Sequence, residues 1–76
     1  MTIYLLWAKF DYEGSELCAV YSQRLFAEIR QKQLTEERAA WEAWYDDGTY
    51  TKPEPHYDFR LTGATGFKIT ERIVEG

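Results

Sequence analysis

Residues 2–10 read TIYLLWAKF and carry apolar side chains in both alternating registers. Tyr4, Leu6, Ala8 and Phe10 fall on one side of an extended chain, and Ile3, Leu5 and Trp7 on the other. A strand of this kind has no face to give to water. It predicts the central position in a sheet, with cover on both sides.

The chain that follows supplies the remaining elements. Residues 11–15 have turn chemistry, with Gly14 available for positive φ, and 16–21 resume a β-prone run through Leu17, Ala19 and Tyr21, which completes a hairpin. Ser22 is a good N-cap for a helix over 23–47, and Gly48 a good stop. In one continuous helix Leu25, Ile29, Ala40 and Ala43, with Phe26 and Trp44 at the edge, share a stripe at about 100° per residue that should face the sheet. Gln33 and Glu36 project onto the same stripe. That flaw equally allows a break near Leu34 and Thr35, with Thr35 capping a second helix.

Residues 49–55 form a loop, because Pro53 and Pro55 suit neither a helix interior nor a central strand. Tyr57, Phe59 and Leu61 then alternate with Asp58 and Arg60, residues 63–66 turn, and Phe67, Ile69 and Ile73 alternate with Lys68, Thr70 and Arg72, which predicts a second hairpin apolar on one side only. Glu71 interrupts its apolar face. The resulting order, β-β-α-β-β, predicts a single two-layer α+β domain over 1–76, with an antiparallel sheet of about four strands on one long or two short helices. Leu25, Ile29, Phe59 and Ile69 are its expected core.

A chain of 76 residues buries only about 60% of the surface its unfolded form exposes, so stability should be marginal without help. Cys18 is the only cysteine and His56 the only histidine, which removes internal disulfides and argues against a bound metal. A partner or a second copy remains as a source of stability. The start of the chain lacks a basic, then apolar, secretory pattern, and no run approaches the ~20 apolar residues of a membrane helix, so a cytoplasmic, membrane-free protein is expected. Hydrophobic content of 45% with net charge −4 fits a folded domain, and the acid excess argues against direct nucleic-acid binding.

Charge is segregated. Between residues 34 and 58 lie seven of the thirteen acids, Glu36, Glu37, Glu42, Asp46, Asp47, Glu54 and Asp58, against only Arg38 and Lys52, interleaved with Trp41, Trp44, Tyr45, Tyr50 and Tyr57. The segment carries net −5 and everything else about +1. Rings supply desolvated contact area and carboxylates steer toward a basic partner, so the pattern suits protein binding. Asp46 and Asp47 also oppose the macrodipole at the helix end, which propensity does not explain. Trp41 and Tyr45 join Leu34 on a stripe separate from the expected core stripe; either the loop 49–55 or a partner protein must cover it. Ile3, Leu5 and Trp7 pose the same question for the far face of the sheet, where a homodimer is one answer and a chain terminus another.

No constellation for catalysis stands out. Cys18 lies in an apolar strand and is expected to be buried and quiet, and His56 sits beside Pro55 in an acid-rich stretch without an orienting group. Asp46-Asp47-Gly48 lacks the alternating ligands and distal Glu of a calcium loop. No cofactor is implied.

The opening IYLLWAKFDYEGSELCAVYS, with its Tyr-Glu-Gly turn, and the terminal FKITERIV resemble small uncharacterised proteins of bacteriophages and prophages that share a strand–strand–helix start and a final strand. The likeness covers the first third and the last ten residues and carries over no catalytic residue. It implies a viral protein that, in the host cytoplasm, binds and inhibits a host enzyme or defence complex. The expectation is therefore a non-catalytic inhibitor, anti-CRISPR or anti-restriction being examples, that occupies a basic surface of a host nucleic-acid-handling complex through Glu36, Glu37, Trp41, Glu42, Tyr45, Asp46, Asp47 and Tyr50. The alternative is a homo-oligomeric structural or assembly protein using the Ile3, Leu5 and Trp7 face, and a small enzyme ranks third.

Overall fold

The structure, a computed structural model, describes residues 1–11 and 14–75. Three strands, β1 (Thr2–Phe10), β2 (Gly14–Tyr21) and β3 (Gly66–Ile73), form one antiparallel sheet in the order β2-β1-β3, and a single helix α1 (Arg24–Asp47) lies against it. The doubly apolar strand β1 is central, as its pattern requires. Within the turn that joins it to β2, Tyr12 and Glu13 lie outside the described residues, while Gly14 takes the left-handed φ of +79° that a side chain would disfavour. A bulge between Leu6 and Trp7 shifts the β1/β2 register and inserts Cys18 opposite the ladder.

The sheet has three strands and not the expected four. Residues 57–61 alternate over too short a run to decide their own conformation, and local hydrogen bonding takes them elsewhere. The Asp58 carboxylate accepts from the Arg60 backbone N–H at 3.0 Å and caps a turn of 3-10 helix at Phe59–Leu61. The Tyr57 hydroxyl donates to the Leu61 carbonyl at 2.9 Å. The turn drives Leu61 and Ala64 into the core and leaves Phe59 80% exposed, so Phe59 is not the core residue its periodicity suggests.

The helix is continuous. Thr35 does not start a second one, because its hydroxyl donates to the Gln31 carbonyl one turn back at 2.8 Å, inside the helical ladder. The N-cap position falls on Gln23 rather than Ser22 and has no side-chain capping bond, whereas Gly48 ends the helix in the left-handed conformation as expected.

The larger correction concerns which side of α1 meets the sheet. Ala27 and Leu34 are its buried residues, whereas Leu25, Phe26 and Ile29 are 60%, 50% and 46% exposed. At about 100° per residue the expected core stripe lies on the opposite side of the helix from the observed one. Two polar residues make the observed side workable. Gln31 Nε2 donates to the Phe67 carbonyl at 3.0 Å, and Arg38 Nε donates to the Ala64 carbonyl at 2.7 Å. Each satisfies a backbone acceptor that an apolar side chain would leave unpaired, and the small Ala27 lets the helix approach closely. The core is then Leu6, Ala8, Leu34, Leu61, Ala64 and Phe67, with Phe10, Cys18, Tyr21, Tyr57 and Ile69 half-buried against it.

The chain measures 52 × 26 × 13 Å, and its radius of gyration is 14.5 Å, against the ~11 Å expected of a compact domain of this length. Two layers fill the short dimension, so the far face of the sheet lacks a third among the described residues. Ile3, Leu5 and Trp7 shield one another only partly there, beside exposed Leu17 and Val20, and Trp7 Nε1 donates to Thr70 Oγ1 at 2.8 Å.

Candidate functional site

The second half of α1 finds its partners in the segment that follows it. Trp41 stacks on Tyr45 with ring centres 5.1 Å apart, tilts against Tyr57 at 6.3 Å, and donates from Nε1 to a Glu54 carboxylate oxygen at 3.0 Å. Trp44 donates from Nε1 to the Lys52 carbonyl at 2.9 Å and meets the edge of Tyr50 at 5.0 Å. Of the two covers that the sequence leaves open for Trp41, the chain's own loop is the one present. Tyr50 reaches Trp44 by adopting φ +51°, a left-handed conformation that costs a bulky residue about 1 to 3 kcal/mol. Pro53 and Pro55 limit the freedom the loop loses on folding.

These contacts divide the eight expected site residues into three groups. Trp41 is turned inward, and Glu37 and Glu42 are drawn into ion pairs within the helix, to Arg30 at 3.7 Å and to Arg38 at 2.9 Å. Such exposed pairs contribute little to stability but reduce the free negative charge. Glu36 and Asp47 lie on the outward stripe of α1, and Asp47 accepts from the Thr49 hydroxyl. Tyr45, Asp46 and Tyr50 remain together at the helix end, with both tyrosines 55% exposed. They sit over the tryptophans, which the loop holds in place.

Cys18 borders a cleft of roughly 120 Å³ together with Glu16, Arg30, Leu34, Asp58 and Leu61. Burial pushes its thiol above the ordinary range, so the group carries its proton at neutral pH. At the rim Arg30 pairs with Glu37, and Asp58 with Arg60. Arg60 hydrogen-bonds Asp58 at 3.0 Å and holds that carboxyl below the usual carboxylate range. His56 is exposed.

One feature escapes periodicity altogether. The outward stripe of α1, taken from sequence as core, instead presents Leu25, Phe26 and Ile29 at one end; at the other, Ala40, Ala43 and Trp44 join Lys52, Pro53 and Pro55 around a groove of about 300 Å³. Gln33 and Glu36 on that stripe were the signal that it faces outward. Among the described residues no helix is long and apolar enough to cross a membrane. Comparison of the chain with protein-family models, with curated proteins and with solved structures finds no match.

Proposed function

We propose that the chain is a non-catalytic binding module whose acidic, aromatic end docks on a basic surface of a partner protein, and that the partner belongs to a host nucleic-acid-handling or defence complex that the module inhibits. The observation that carries this reading is the exposure of Tyr45 and Tyr50 at the helix end that bears Asp46, packed on Trp41 and Trp44, which hydrogen-bond the loop. Anchors already held in one conformation lose little entropy on binding, and tyrosine combines contact area with a polar tip. The strained φ of Tyr50 is a stability cost that packing on Trp44 offsets, and it keeps the ring at the surface. Asp46 adds long-range attraction toward cations.

The test is capture of the partner from host lysate, followed by binding kinetics with the purified partner. Asp46→Lys should slow association and flatten its salt dependence, while Tyr45→Ala and Tyr50→Ala should speed dissociation and cost about 2 kcal/mol at a true anchor. Unchanged kinetics in all three variants place the contact elsewhere. Self-association is the second reading, favoured by the uncovered apolar residues Leu17 and Val20 beside Ile3, Leu5 and Trp7 on the far face of the sheet.

A further inference from the structure

We propose that two copies of this chain pair through the outward stripe of α1, antiparallel about a two-fold axis, each placing its Leu25, Phe26 and Ile29 in the groove formed by Ala40, Ala43, Trp44 and Pro53 of the other. This pairing does not depend on the function proposed above and rests on the outward stripe of α1.

The geometry begins with the helix itself. At about 100° per residue Leu25, Ile29, Glu36, Ala40, Ala43 and Asp47 fall within roughly 60° of one another, on the side away from buried Ala27 and Leu34. The exposed aliphatic side chains Leu25 and Ile29 lie in the first half of this stripe and the small Ala40 and Ala43 in the second, with Trp44 at its edge. The large end is exposed and the small end is the concave one, walled by Trp44 and the two prolines. A surface with a ridge at one end and a hollow at the other complements a second copy of itself when the copy is reversed.

The register follows from the positions. The midpoint of Leu25 and Ala43 is residue 34, and that of Ile29 and Ala40 lies between 34 and 35, so one axis near Leu34 and Thr35 seats both ends at once. Leu25 and Ala43 are separated by about 27 Å along the helix, at 1.5 Å per residue. The same axis sets Lys32 of one copy against Glu36 of the other, since their midpoint is also residue 34. Neither residue forms an ion pair within the chain among the described residues, and both are exposed.

Charge selects the orientation. Residues 24–33 hold Arg24, Arg30 and Lys32 against Glu28, net +2, and residues 34–47 hold five acids against Arg38, net −4. Antiparallel pairing lays the positive half of each helix along the negative half of the other and opposes the two macrodipoles, whereas parallel pairing sets like halves together. Asp46 and Asp47, unfavourable at the end of an isolated helix, then lie near the positive end of the partner helix. Gln33 and Glu36, misplaced in a core stripe, fall at the centre of a helix pair, where polar residues fix register.

Sedimentation equilibrium of the full chain over a concentration series reaching roughly 1 mM reads the association directly. The parent should be dimeric. Ala43→Arg, which fills and charges the hollow, should weaken the dimer by about a hundredfold or more while circular dichroism shows the helix intact. Lys32→Glu and Glu36→Lys should each weaken it by about tenfold, and the two together should restore it. A parent that stays monomeric throughout overturns the proposal. So does a dimer indifferent to Ala43→Arg, or one that Leu5→Glu abolishes while the Lys32 and Glu36 exchange has no effect, which would assign the contact to the far face of the sheet.

Discussion

The two halves of α1 solve opposite packing problems. The first half lies on the sheet through Ala27 and turns its large apolar residues outward; the second half turns Trp41 inward, where a loop covers it, and its small residues outward. In the first half the sheet is already there, and the helix gains most by coming close and by supplying donors to strand carbonyls. In the second half Trp41 and Trp44 meet the segment that follows the helix, and the large rings give that loop something to pack on. Apolar residues therefore occur on both sides of one helix, and their number alone does not reveal which side is buried.

The comparison can be broken most directly in the core on which the helix rests through Leu34. Leu6 is fully buried on β1, and Leu6→Ala should cost about 3 to 5 kcal/mol, a large part of the stability of a domain this small, read from denaturant unfolding. In the second half Trp41→Ala should cost about 2 kcal/mol and expose the stretch around Glu54 and Tyr57 to proteolysis under native conditions, because that stretch meets the helix at this ring. Protease resistance equal to the parent's would show that the loop holds without it. Arg38→Ala tests the polar contribution: with the Ala64 carbonyl left without its donor, a loss of about 1 to 2 kcal/mol is expected, and a neutral result would remove the reason given for the helix orientation.

A smaller effect concerns Tyr57. Burial is the main cause that pushes its phenol up from 10.0 to about 12. A raised acid pKa means that the unfolded state loses its proton first, so the contribution of this group is fully present below about pH 10 and is lost as pH rises toward 12. Tyr57→Phe should flatten the stability profile over that interval, while an unchanged slope would place its cause in other groups. The smallest effect is the sharpest for the comparison. Leu25→Ala, at a concentration where the chain is monomeric, should change stability by no more than about 0.5 kcal/mol because the side chain is 60% exposed. A loss of several kcal/mol would mean that the helix faces the sheet with its other side.

Much of this architecture was legible before any coordinates. The double alternation of Thr2–Phe10 placed β1 at the centre, Gly14 and Gly48 marked a turn and a helix end through their left-handed backbones, and Phe67 and Ile69 marked a strand with one face on the core. Residues 57–61 alternate like a strand but form a 3-10 turn, because two-residue alternation over so short a run does not distinguish a strand from a turn secured by Asp58 and Tyr57. Of the candidate surface, the segregation of acids and rings was visible; the partial cover of Trp41 by the loop and the pairing of Glu37 and Glu42 were not, since each depends on a group distant in the fold or on a chosen rotamer.

What the sequence by itself determined is the α+β class, the strands β1, β2 and β3 around one helical region, and a basic and an acidic half of that region, because these follow from local backbone preference and from counting charge along the chain; the fourth strand it also suggested is a 3-10 turn. Only the tertiary structure decided which side of that helix is inside. Leu25, Phe26 and Ile29 offered more apolar surface than Ala27 and Leu34, yet the strand and turn carbonyls of Phe67 and Ala64 required donors, and Gln31 and Arg38 supply them only when the helix is turned the other way. A buried acceptor without a donor costs as much as a lost apolar contact gains, and a comparison of that kind depends on the three-dimensional neighbours of each residue.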